Sequence, residues 1–274
     1  MSERTVNRDG VELSVSDDGQ GPAVVLLHGL TATRRYVVMG SRSLERSGHR
    51  VIAYDARGHG RSSPAVGGRA YEYADLGTDL EAVMDACGVQ RAVLAGASMG
   101  AHTLLWLALA RPERVAGVVV ITPAYVDRRQ TDDSERLAHW DALSDGLRNG
   151  GIDGFLAAQG EPRVPERWRE TVTKVIRQRM AAHEHLDAVA DALHVVPASH
   201  PFESVQDLAA ISVPAVIVAS DDDADPEHPR AIGEAYAETI PGARLVTDEP
   251  GKSPVAWQGS RLSALIADVV TRAD

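Results

Sequence analysis

Hydrophobic and polar positions along the chain alternate between two rhythms. Short, mostly apolar runs rich in β-branched residues occupy Ala23–Leu27, Arg50–Tyr54, Ala92–Ala95, Val115–Ile121, Ala215–Ala219 and Arg244–Val246. Such runs lack a polar face, as expected of strands covered on both sides. Between them lie stretches at helical spacing, about Arg34–Ser47, Leu76–Cys87, Met99–Ala110, Pro229–Thr239 and Gln258–Arg272. Strand and helix in alternation predict a mostly parallel sheet flanked by helices. Ahead of them, Thr5–Asn7 and Val11–Ser16 flank Asp9-Gly10 and predict a hairpin.

From Pro123 to about Leu208 the alternation stops. Only amphipathic helical patterns remain there, broken by Gly150-Gly151, Pro162 and Pro165. This predicts a helical cap, residues 123–208, inserted after the sixth strand of a core made of residues 1–122 and 209–274. Both phenylalanines, Phe155 and Phe202, fall in this stretch, with Trp140 and Trp168. These side chains either pin the cap to the sheet or line an apolar pocket beneath it.

Composition narrows the classes of partner. With 274 residues the chain is long enough for one large α/β domain with an insertion. A formal charge of −11 argues against a nucleic-acid partner, which needs a Lys/Arg surface. The longest apolar run, Leu104–Ala110, is too short to span a bilayer, and the start carries no apolar leader. A single cysteine, Cys87, excludes an internal disulfide and suits the cytoplasm.

Candidate chemistry begins at Ala92-Val93-Leu94-Ala95-Gly96-Ala97-Ser98-Met99-Gly100. A buried strand, Gly-x-Ser-x-Gly and a helix in succession predict a nucleophile elbow, with small neighbours making room for a strained serine. Leu26-Leu27-His28-Gly29-Leu30 ends an earlier strand, and Asp55-Ala56-Arg57-Gly58-His59-Gly60-Arg61-Ser62 follows another. In these motifs the chain resembles the α/β-hydrolase fold family, over essentially its whole length. The resemblance implies hydrolysis of a small apolar carboxylic ester or related acyl bond, with no cofactor and no metal, by Ser98. It implies an oxyanion hole from the backbone N–H groups of Leu30 and Met99. It also implies scaffold roles for His28 and for the Asp55–Ser62 turn, which Asp55 and Arg57 would tie down. His59 is the member of that turn that could reach the edge of the cleft.

The resemblance further implies a triad acid after the next strand. There the chain reads Ser220-Asp221-Asp222-Asp223-Ala224-Asp225-Pro226, with Asp223 first, Asp225 second and Asp127 an outside candidate. The family's histidine follows the last strand, yet Glu249-Pro250-Gly251-Lys252-Ser253-Pro254 holds Lys252 at that position. Lysine with an ordinary pKa near 10.4 is a poor base beside a carboxylate. Three readings stay open. His228 supplies the base, with His59, His194 and His200 as weaker candidates. Alternatively Lys252, pointing into the cleft and paired with Asp223 or a neighbouring carboxylate, works as a neutral base or as a charge that holds a substrate carboxylate or oxyanion. In the third reading the site is impaired and the protein binds a small molecule without turning it over.

Overall fold

The computed structural model describes residues 2–66, 71–125, 133–220, 227–249 and 252–273. Eight strands form one sheet: β1 (Ser2–Arg8), β2 (Val11–Asp18), β3 (Ala23–Leu27), β4 (Arg50–Tyr54), β5 (Ala92–Ala97), β6 (Val115–Ile121), β7 (Ala215–Ala219) and β8 (Arg244–Thr247). Their order is β1-β2-β4-β3-β5-β6-β7-β8. The β1–β2 and β2–β4 pairs are antiparallel, and every pairing from β3 onward is parallel.

Strand periodicity sorts side chains to two faces. Val25, Leu27, Val118, Val120 and Ile217 join one buried cluster, with residues from α2 (Tyr73–Ala86), α3 (Met99–Ala110) and α7 (Arg230–Thr239). Their sequence neighbours Val24, Leu26, Val119, Ile121, Val216 and Val218 join the other, under Leu44 of α1 (Ser43–Arg46) and Leu262, Ile266 and Val269 of α8 (Gly259–Ala273). Both faces are thus covered, which is why the central strands contain almost no polar residue.

One expected helix is mostly missing. In place of a helix over Arg34–Ser47 the chain makes a 3-10 turn at Arg34–Tyr36, an irregular bend and the single turn α1. Met39 and Gly40 adopt positive φ of 49° and 72°, a conformation that ends a right-handed helix.

Between β6 and β7 lie α4 (Ser134–Gln159), α5 (Glu166–Met180) and α6 (Leu186–Val195). Gly151, at φ 57° and ψ −147°, is non-helical and divides α4 into two helical stretches at a kink, the interruption that Gly150-Gly151 predict. Leu143, Leu147 and Phe155 of α4 pack with Ile176, Met180, Val189 and Leu193, and with Leu30, Tyr71 and Leu76 of the sheet layer. The four phenylalanine and tryptophan side chains in this stretch divide. Phe155 is buried in that cluster, Phe202 stacks edge-on with Tyr125 and Tyr236, and Trp168 is 51 % exposed.

Three buried histidines help tie these helices to the sheet layer. His28 Nε2 accepts from the Ala56 N–H at 2.9 Å, which leaves Nδ1–H to donate to the Gly29 carbonyl at 2.8 Å. The His59 ring lies between the carbonyls of Arg57, 2.9 Å away, and Leu30, 2.5 Å away. His183, from the turn between α5 and α6, accepts from the Gly60 N–H at 2.8 Å and donates to the Thr31 carbonyl at 3.2 Å. The rings form a row, with centroids 5.2 and 5.5 Å apart.

Candidate active site

The elbow follows from steric necessity. Ser98 sits between β5 and α3 at φ 50° and ψ −113°, a strained conformation for a residue with a Cβ. Its N–H donates to the Ile121 carbonyl at 3.0 Å, and its carbonyl accepts from the His102 N–H at 3.0 Å. A Cβ at Gly96 would come within 2.4 Å of the Gly100 backbone, and one at Gly100 within 2.2 Å of the Leu27 carbonyl oxygen. Only glycine fits at either position, because β5, α3 and the end of β3 approach backbone to backbone.

His228 Nε2 lies 2.8 Å from Ser98 Oγ, across 130 residues of sequence. Both side chains line a pocket under the helices that follow β6, with an empty volume of about 470 Å³ that includes space open to solvent. Leu30 and Met99, both buried, line its sheet side with Tyr73 and His102. Met99 begins α3, so its N–H is among those left without a carbonyl partner inside the helix. Arg136, Trp140, Val196 and Pro197 form the opposing wall, and Glu227 adjoins His228 at the loop side.

The other histidines are placed differently. His102 Nε2 accepts from the Ala124 and Tyr125 N–H groups, both at 3.2 Å, which leaves Nδ1–H to donate to the Tyr73 hydroxyl at 3.1 Å. Its ring therefore braces the chain after β6. His59 is fully buried, inside the fold and not at the cleft edge, and burial lowers its pKa. His194 pairs with Asp141 at 2.6 Å on an exposed surface, and His200 contacts the Tyr125 hydroxyl at 2.9 Å. Neither lines the pocket.

Lys252 corrects the expectation that it points into the cleft. Its side chain is 62 % exposed, pairs with Glu249 and does not line the pocket. The Lys252 ammonium holds the Glu249 carboxyl below its ordinary range. The last strand is instead followed by Asp248, whose Oδ2 accepts from the Ser220 hydroxyl at 2.5 Å and Oδ1 from the Val255 N–H at 2.7 Å. Asp223, Asp225 and Asp127 lie outside the described residues.

The Asp55–Ser62 turn is anchored through Asp55 and Arg57, each to a partner outside it. Asp55 accepts from the Arg34 guanidinium at 2.8 Å, while Arg57 forks onto Asp79 with two contacts of 2.7 Å. Burial pushes the Asp79 carboxyl upward, and Arg57 opposes that shift.

Tyr73, His102, Arg136 and Glu227 escaped sequence reasoning, because nothing in their local pattern announces that packing brings them to one pocket. Among the described residues no cluster of three or more His, Cys, Asp or Glu side chains could hold a metal ion. Nor is any helix among them long and apolar enough to cross a membrane.

Comparison with known proteins gives the same frame. The family model of the α/β hydrolase fold matches residues 22–252. A protein from Variovorax paradoxus with the provisional name carbamate hydrolase RutD is 33 % identical over 215 residues, 77 % of each chain. Epoxide hydrolase B of Mycobacterium tuberculosis is 38 % identical over 111 residues, 40 % of this chain and 31 % of its own. Among solved structures, a thermophilic esterase from Thermogutta terrifontis superposes with a TM-score of 0.78 at 25 % identity, covering 100 % of this chain and 99 % of its own. The enol-lactonase of Burkholderia xenovorans gives 0.79 at 23 % identity, covering 98 % of this chain and 100 % of its own, a likeness of fold. A serine-bearing elbow beneath a helical layer, matched by that family model over most of its length, identifies this chain as a member of the α/β-hydrolase fold family.

Proposed function

We propose that the protein is a serine hydrolase acting on a carboxylic ester or related acyl bond, with His228 in place of the usual histidine. The observation that carries this reading is the 2.8 Å contact between His228 Nε2 and Ser98 Oγ. A general base must lie within hydrogen-bond reach of the proton it removes, and this imidazole does. Ser98 attacks the carbonyl carbon while His228 takes its proton. The tetrahedral oxyanion is held by the Leu30 and Met99 N–H groups, which need no reorganisation as charge develops. His228 then protonates the leaving alcohol, and water releases the acyl group by the same relay in reverse. We assign the acid that orients His228 to the carboxylate run after β7, Asp223 first and Asp225 second. A serine at the elbow separates this chemistry from that of hydrolases with an aspartate nucleophile. The substrate is a small molecule, and its acyl bond lies under the helices that follow β6, which form the cap.

A short p-nitrophenyl ester and a fluorophosphonate probe test the reading. Ser98→Ala is expected to abolish labelling, and His228→Ala to reduce turnover by about 10³-fold or more. The double variant should be little worse than either single one, since members of one relay are not additive. Full turnover in His228→Ala would remove the imidazole from the mechanism. Absence of turnover and labelling in the wild type would favour a protein that binds without catalysis.

A further inference from the structure

Among the described residues, the two charged side chains lining the pocket stand on different elements. Arg136, in the first turn of α4, lines the wall contributed by the helices after β6, and Glu227 lies beside His228. A cation in a helix's first turn is opposed by the helix dipole, so Arg136 is not there to stabilise α4. Its guanidinium is nonetheless fixed. Nε and Nη2 contact Asp133 at 3.3 and 3.1 Å, and Nη2 also donates to the Pro197 carbonyl at 3.0 Å. Nη1 has no partner among the described residues. One helical turn further along α4, Trp140 lines the same wall, and its buried indole N–H has no acceptor among the described residues.

Buried donors are normally satisfied, and a guanidinium held in place by Asp133 and Pro197 leaves its Nη1 N–H groups to donate to an anionic oxygen. We propose that Arg136, assisted by Trp140, forms an anion-recognition subsite, so that the substrate is an ester carrying a free carboxylate on the part lying beneath α4. This rests on the serine-hydrolase reading above. Glu227 reinforces the orientation. It disfavours a carboxylate next to His228, so the anionic end is directed to α4 and the ester carbonyl to Ser98. Val196 and Pro197, on the same wall as Arg136, contact the apolar portion.

The test compares the mono-p-nitrophenyl ester of glutaric acid with p-nitrophenyl pentanoate, in which a methyl group replaces the carboxylate. The wild type should favour the glutaryl ester in kcat/KM by about tenfold or more, the scale of a hydrogen bond to a charged group. Arg136→Gln should erase most of that ratio, Arg136→Lys should retain part of it, and Trp140→Phe should lower it to a smaller extent. A wild-type preference for the neutral ester, or a ratio unchanged in Arg136→Gln, overturns the proposal. A binding measurement separates its failure from that of the hydrolase reading. Calorimetry on Ser98→Ala with the mono-butylamide of glutaric acid and with N-butylpentanamide requires no turnover. Tighter binding of the acid, lost in Arg136→Gln, supports the subsite even if neither ester is hydrolysed. Equal binding of the two amides refutes it.

Discussion

Ser98 holds a backbone conformation that costs on the order of 1–3 kcal/mol, and the β5–α3 turn sustains it through the two flanking glycines. The strain presents the hydroxyl to His228, whereas Lys252 turns outward to Glu249. An exposed pair of that kind contributes little to stability. Lys252→Ala is therefore expected to change ester kcat/KM by less than about twofold, with an unaltered melting temperature. A large loss of kcat in that variant would return the ammonium to the proton path. Ser98 was legible because Gly96 and Gly100 stand two residues to either side. His228 could be named only as a candidate, since no local pattern separates a histidine that meets serine from one that begins a helix. Arg136 and Trp140 were less legible still. An arginine in the first turn of an amphipathic helix looks solvated until the Pro197 carbonyl is seen to hold it.

At the scale of elements, the strands could be read because burial on both faces leaves continuous apolar runs. The segment 34–47 was misread because Met39 enters the left-handed region without a sequence signal. The His28–His59–His183 row joins the β3 loop, the turn after β4 and the α5–α6 turn, and its chemistry is sensitive to acid. Burial lowers the pKa of His28 to about 3 and that of His183 to about 3, and holds His59 below its ordinary value. In the unfolded chain these imidazoles titrate near 6.5. Below that pH the unfolded state binds protons that the folded state refuses, so stability is full above about 6.5 and is lost as pH falls toward 3. Each such histidine contributes up to about 1.4 kcal/mol per pH unit within that window. Thermal denaturation at pH 7 and pH 5 should show a marked fall in melting temperature. The fall should be shallower in His183→Asn, whose amide oxygen can still accept from the Gly60 N–H. An identical slope in wild type and variant would mean that His183 carries no part of the effect.

Across the whole molecule, the sheet brings the ends of β3, β5 and β7 together, and the helices after β6 close over them. Ser98, Leu30 and His228 thus meet although they are far apart in sequence. The end of β8 has a different place in this plan. Asp248 ties Ser220 to Val255, so the entry to α8 is fixed independently of the segment between, which carries Lys252 on its exterior. Lys252 and Ser253, both exposed, mark a position released from the demands of the pocket. It is therefore a place where the chain can be lengthened. A run of about six glycine and serine residues inserted between Lys252 and Ser253 should leave ester turnover and the melting temperature close to those of the parent. The same run between Glu227 and His228 should abolish turnover. Loss of activity from the first insertion would show that this position still shapes the pocket. Such a position lets sequence drift, or a fusion partner be carried, without disturbing the pocket.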